Sequence, residues 1–243
     1  MEIFLIITNF KIKLIFLFYM CGRFGITFEP ADVKERFHID VNQDFFRPSY
    51  NISPSQSTPV ILNKNKEKLV MARFGLIPKW AKDANVGYRM VNARSETINK
   101  KQTFKPLFKK KRCLILADYF YEWKNKIPYV FRMDDKSIFC FAGIYDEWED
   151  SSGEIVISYS ILTTTPNFLV KKIHDRMPVI IDKSQERNWL DKYDEKMLLS
   201  MLKPFNSEKM YSYQVSDKVN KTKNDFPELI KPANTLNRFF KLK

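Results

Sequence analysis

The chain has 243 residues, with 41 Lys and Arg against 28 Asp and Glu and a formal net charge of +13. It can bury a full core as one large domain or two small ones, and its basic excess points to a polyanionic partner, nucleic acid first, with a lysine-rich solvated face as the plain alternative. Three cysteines in no pattern argue against a disulfide scaffold, and two histidines with no Cys-x-x-Cys pair argue against a zinc site.

Residues 1–19 are apolar in short runs broken by Asn9, Lys11 and Lys13. A membrane span needs about 20 mostly apolar residues, and a signal peptide carries its basic residues ahead of the apolar stretch. Here an acid comes first, the lysines sit in the middle, and Phe18-Tyr19 close the segment. The segment is expected to lie outside the fold, as read-through from a mis-assigned start or as a removable leader. A poorly formed signal or anchor and an extra core element are the other readings. Residues 20–243 are expected to form a single domain.

Glu29 to His38 reads as a short helix with Pro30 at its start. Tyr50-Asn51-Ile52-Ser53-Pro54 reads as a turn or loop. Thr58 to Leu62 and Lys68 to Phe74 read as strands around a polar turn, followed by a Pro-containing loop from Gly75 to Trp80. Cys113 to Ala117, Tyr129 to Met133, Ile138 to Tyr145 and Ile155 to Thr163 have strand character. Thr165-Pro166 has the form of a helix opening, Met177 to Ile181 of a strand, and Ser184 to Leu202 of one helix burying Trp189, Leu190, Met197, Leu198 and Met201. From about Lys218 the tail is polar and basic and is expected to pair little. The fold class is α+β, around a mixed, barrel-like sheet with flanking helices.

Four segments place polar residues at strand ends or loops: Cys21 with Arg23; Val91-Asn92-Ala93-Arg94-Ser95-Glu96-Thr97; Asp118-Tyr119-Phe120-Tyr121-Glu122-Trp123; and Ile173-His174-Asp175-Arg176-Met177-Pro178. Singly each has a bland reading. Arg94 and Glu96 form a surface pair, Glu122 faces solvent from a strand, and His174 caps a helix C-terminus. Cys113 and Cys140 lie in apolar strand patterns and read as core, and His38 reads as structural.

Seven segments in order resemble the SOS-response-associated peptidase (SRAP) family: Met20-Cys21-Gly22-Arg23-Phe24, Tyr50-Asn51-Ile52-Ser53-Pro54, Gly75-Leu76-Ile77-Pro78-Lys79-Trp80, Asn92-Ala93-Arg94-Ser95-Glu96-Thr97, Arg112-Cys113-Leu114-Ile115, Phe120-Tyr121-Glu122-Trp123-Lys124 and His174-Asp175-Arg176-Met177-Pro178. The resemblance runs from Met20 to about Val215. Leu116, Tyr119 and Pro166 depart from the family pattern at packing and turn positions, and the segment upstream of Cys21 departs from it altogether.

The resemblance implies the SRAP fold and a protein of the DNA damage (SOS) response that binds single-stranded DNA and shields abasic sites covalently through an N-terminal cysteine. It assigns Cys21 as the covalent residue, Glu122 and His174 to acid/base steps, and Asn92 to orienting the sugar or the amine. Arg94 and Arg176 would hold phosphates, with Arg23, Asn51 and Trp80 also facing DNA. An α-amine, with an ordinary pKa near 7.7–8.0, is substantially neutral where a lysine is protonated, and a neighbouring thiol closes a thiazolidine on the resulting imine. The activity is thus lyase-like crosslinking. One alternative is a cysteine-type N-terminal-nucleophile peptidase that removes its own propeptide at Tyr19-Met20 or Met20-Cys21. A second is a non-covalent, basic single-strand binder. No cofactor, metal or membrane is expected, and the protein is expected to be a monomer in the cytoplasm, on the nucleoid when bound to DNA.

Overall fold

The computed structural model describes residues 21–39, 41, 46–191 and 193–233. The expectations for residues 1–19, and for the tail beyond residue 233, fall outside the described residues. In chain order the elements are β1 (Phe24–Ile26), α1 (Pro30–Phe37), β2 (Ser49–Ile52), β3 (Ser57–Leu62), β4 (Asn65–Phe74), β5 (Asn92–Arg94), α2 (Lys105–Lys110), β6 (Arg112–Ala117), β7 (Tyr119–Lys124), β8 (Ile127–Met133) and β9 (Phe139–Glu149). There follow β10 (Ile155–Thr164), β11 (Met177–Pro178), β12 (Ile180–Ile181), α3 (Glu186–Leu190), α4 (Glu195–Met201) and β13 (Met210–Gln214).

Five strands close a ring in the order β10, β4, β3, β6, β9 and back to β10. All neighbours in it are antiparallel except β4 and β10, which run parallel with Arg73 opposite Ser158. The result is the expected mixed, barrel-like sheet, which abolishes free edges around the core. A second, antiparallel sheet has the order β13, β8, β7, β1, β2. Aromatic rings lock the two sheets together. Phe24 of β1 meets Phe74 of β4 and Phe141 of β9, each edge-on at 5.6 Å, and Phe120 of β7 meets Phe141 at 6.1 Å. Such pairs add about 0.5–1.5 kcal/mol each beyond the area they bury.

Four expectations change. Tyr50 to Ile52 belongs to β2, because it pairs with β1 at Phe24 opposite Ile52. Thr165-Pro166 opens no α-helix; a single 3₁₀ turn at Val170–Lys172 follows. Asn167 is the cause, since its side chain is committed to the Val170 N–H (2.9 Å) and to the Phe205 carbonyl (2.9 Å). The long helix from Ser184 divides into α3 and α4. Asp191 turns extended, its carbonyl accepts from the buried Arg112 guanidinium at 2.5 Å, and Asp194 then caps a new helix through the Met197 N–H.

The tail is the fourth. Residues 217–233 are fastened down rather than unpaired, because Val219 and Leu229 are fully buried against Tyr119, Tyr121 and Tyr213. Asn51 of β2 donates from Nδ2 to the carbonyls of Val219 (3.1 Å), Lys221 (3.2 Å) and Asn224 (2.8 Å). No helix of the described residues is long and apolar enough to cross a membrane.

Candidate active site

The register of β1 against β7 builds the centre of the site. Phe24 pairs with Phe120, and the Tyr121 N–H donates to the Arg23 carbonyl at 2.9 Å, so the pairing continues one step beyond β1. Carried on antiparallel, the chain brings Cys21 alongside Glu122 and Trp123. Cys21 has a positive φ of 49°, a left-handed backbone that is uncommon away from glycine, and it is 4% exposed. Its thiol and backbone N–H both act as donors to the Glu122 carboxylate.

Glu122 is 2% exposed, and its Oε1 has no hydrogen-bond partner among the described residues. Burial pushes its carboxyl up to about 7, against the pull of His174 and of the two Cys21 donors, with Asp175 adding to the rise. A carboxyl poised there can give or take a proton near neutrality. Burial, then the charge and hydrogen bond of Glu122, push the Cys21 thiol well up, with Arg176 opposing. Cys21 is therefore a thiol rather than a resting thiolate.

His174 arrives on the turn after β10. The Val170 carbonyl accepts its backbone N–H at 2.8 Å, and its Nδ1 accepts the Arg176 backbone N–H at 3.1 Å, with Asp175 Oδ1 3.2 Å away. The Arg176 carbonyl oxygen also stands 3.3 Å from Nδ1, so that nitrogen faces one donor and two acceptors. Arg176 reaches back to Thr163 of β10, donating to its carbonyl at 2.8 Å, and forms a fork-on-fork pair with Glu96, Nη2 to Oε2 at 2.9 Å. The Arg176 hydrogen bonds hold the Glu96 carboxyl below its ordinary range.

Strand β5 runs parallel to β10 with Asn92 opposite Ile161 and Arg94 opposite Thr163, which delivers Asn92 and Arg94 to the same strand end as Arg176. Asn92 donates weakly to the Ile161 carbonyl at 3.5 Å, and the Arg94 side chain is exposed and makes no bond among the described residues. Among the described residues no group of three or more His, Cys, Asp or Glu could hold a metal ion.

The sequence profile of the family described as SOS response associated peptidase (SRAP) matches residues 20–222. The chain belongs to the SRAP family. It is similar to the abasic site processing protein YoqW of Bacillus subtilis (strain 168), at 43% identity over 221 residues that cover 87% of this chain and 99% of the relative. It is also similar to the abasic site processing protein HMCES of Xenopus tropicalis, at 32% identity over 260 residues covering 86% and 77%. An X-ray structure of a protein from Bacteroides thetaiotaomicron superposes with a TM-score of 0.80 at 29% identity, covering 88% of this chain and all of that one.

For this SRAP chain, then, Cys21, Glu122 and His174 come together, Arg176 lies within electrostatic reach of Cys21, and Asn92 and Arg94 adjoin Arg176. Asn51 and Arg23 turn inward instead. Asn51 is 1% exposed, its Oδ1 accepts from Arg23 Nη1 at 2.6 Å, and the same Nη1 donates to the Val219 carbonyl at 2.9 Å. Trp80 is 68% exposed, but it stands elsewhere. Its loop is pinned at the level of Ser158 by the Ile77 N–H to Ser158 Oγ (2.7 Å), by the Lys79 N–H to Asp146 Oδ2 (2.8 Å) and by Trp148 Nε1 to the Ala81 carbonyl (2.7 Å). Ser158 lies five residues along β10 from Thr163, or about 17 Å at strand rise. Gly75 makes that loop, with φ +104° and room for no Cβ, since one would stand 2.6 Å from the Gly87 carbonyl oxygen.

The sequence reading missed two partners. Glu96 pairs with Arg176 rather than with Arg94, and Asp175 stands against His174. The first has no signal in the chain, since 80 residues separate the pair; the second follows from adjacency alone.

Proposed function

We propose that this protein processes abasic sites in single-stranded DNA by bonding covalently to the ring-opened sugar through Cys21, once residues 1–20 are absent and its α-amine is free. The observation that carries this reading is the buried Glu122 carboxyl facing both the backbone nitrogen and the thiol of one cysteine. The names of the relatives and the start of the family match at Met20 point the same way.

In this reading Glu122, protonated about half the time near pH 7, gives a proton to the sugar ring oxygen as its bond to C1 breaks, and the C1 hydroxyl gives up its proton to become the aldehyde. The neutral α-amine attacks the aldehyde carbon. The nitrogen gives up both of its protons to the former aldehyde oxygen, which leaves as water, and an imine remains. The thiol sulfur then adds to the imine carbon while its proton passes to the nitrogen, which closes a five-membered thiazolidine. Ring closure is intramolecular and is favoured by proximity. A thiol held protonated suits this order of events better than it suits a peptidase nucleophile, which acts as thiolate. His174 serves the water-loss step and its reversal. Arg176 and Arg94 hold the phosphates flanking the lesion.

The test is a chain initiated at Met20, mixed with single-stranded DNA carrying one abasic site. A heat-stable shifted band is expected, with its loss in Cys21→Ala. Equal crosslinking by Cys21→Ala would sink the proposal. Intact mass of the protein made from its own gene should begin at Cys21.

A further inference from the structure

Phe168 stands on the turn between β10 and His174, and it is 60% exposed. A single exposed apolar side chain is ordinary, but the setting of this one is not. Its neighbours Asn167, Leu169 and Val170 are all buried, and Asn167 is fixed by bonds to Val170 and Phe205. The turn therefore has one way to sit, and that way holds the phenyl ring out in water. The Lys172 ammonium lies over the ring, 4.8 Å from its centroid.

The turn is also tied to the active site. Lys124, two residues beyond Glu122 on β7, donates from Nζ to the Lys172 carbonyl at 2.8 Å, and the Val170 carbonyl holds the His174 N–H. Lys124, Lys126, Lys171 and Lys172 are all exposed on this side. An aromatic face interleaved with cations and held rigid is the form of a site that stacks a base while lysines follow the backbone.

We infer that Phe168 and Lys172 form a stacking platform for a nucleobase flanking the abasic site, so that the strand is gripped beside the reacting sugar. This inference rests on the single-stranded DNA reading above, but not on the covalent chemistry. The face of the ring away from Lys172 takes the base, and the surrounding lysines complement its phosphates.

The experiment measures equilibrium binding of the full chain by fluorescence anisotropy. The probe is a single strand holding one tetrahydrofuran residue, which lacks the aldehyde, flanked by adenines. A second strand replaces the flanking bases with the same spacer. Phe168→Ala is expected to lose about 5- to 30-fold in affinity on the adenine-flanked strand and less than twofold on the spacer-flanked one. Phe168→Trp should restore binding, which separates stacking from damage to the turn. Affinity of Phe168→Ala within twofold of the parent on the first strand, or an equal loss on both strands, would overturn the platform. If the parent chain initiated at Met20 forms no crosslink with abasic DNA while the base-dependent loss persists, the platform stands and the covalent reading falls. Failure of the parent to bind either strand removes both.

Discussion

The floor and the rim of the site use the same side chain in opposite ways. Glu122 on the floor is 2% exposed, has one carboxylate oxygen unpaired among the described residues, and is pushed up by burial to about 7. Glu96 on the rim is 46% exposed, gripped by the Arg176 fork, and held below its ordinary range. One is kept able to exchange a proton; the other is kept charged so that an arginine stays in place. Desolvation sets the first and the hydrogen bonds of Arg176 the second. In the proposed reading the floor carries the chemistry, and the rim of Arg94, Arg176 and Phe168 positions the strand.

The largest effect expected from this division is on the reaction itself. Glu122→Gln keeps the shape of the floor and removes the exchangeable proton, so the crosslinking rate should fall by about 10²- to 10⁴-fold at pH 7, measured by quenched time courses on abasic single strands. A fall under threefold would place the proton transfer elsewhere. The same substitution makes a second test in stability. The folded carboxyl titrates near 7 and the unfolded one near 4.5, so the fold binds the extra proton between those values. The contribution of Glu122 is complete below about pH 4.5 and is lost as pH rises through 7. Denaturant unfolding should show Glu122→Gln gaining on the parent across that window, up to about 3 kcal/mol. A pH-independent difference would contradict the buried, proton-binding floor. The smallest effect belongs to the rim. Arg94→Ala should lower the salt slope of single-strand binding by about 0.7 and weaken affinity severalfold regardless of base sequence, with unfolding free energy unchanged, because Arg94 makes no bond within the described fold.

The ring of strands was legible because β3, β6, β9 and β10 carry apolar, β-branched runs bounded by turn residues, as in Arg112–Ala117, buried throughout. The breaks were not. Asp191 leaves its helix because Arg112, 79 residues away, takes its carbonyl, and no local propensity records that. For the same reason Tyr50 to Ile52 reads as a loop until β1 pairs with it. In the site, Cys21, Glu122 and His174 were legible as residue types in ordered motifs, and strand register then explains how the first two meet. The inward turn of Asn51 and Arg23 was not, since both are polar side chains whose partners are backbone carbonyls of a tail that carries no sign of order in its composition. The exposure of Phe168 was equally hidden, because an apolar residue in a run with Leu169 and Val170 reads as core.

The bond from Arg23 to the Val219 carbonyl spans 196 residues, and it steadies the strand immediately after Cys21. On the ribosome, Arg23 and Asn51 are made long before the carbonyls of Val219, Lys221 and Asn224 that they bind. Throughout synthesis the thiol travels on a segment whose mate on β2, Asn51, has none of its three acceptors. The site is thus completed by a clasp between segments made far apart in time, and it assembles only once residues 217–233 have been made.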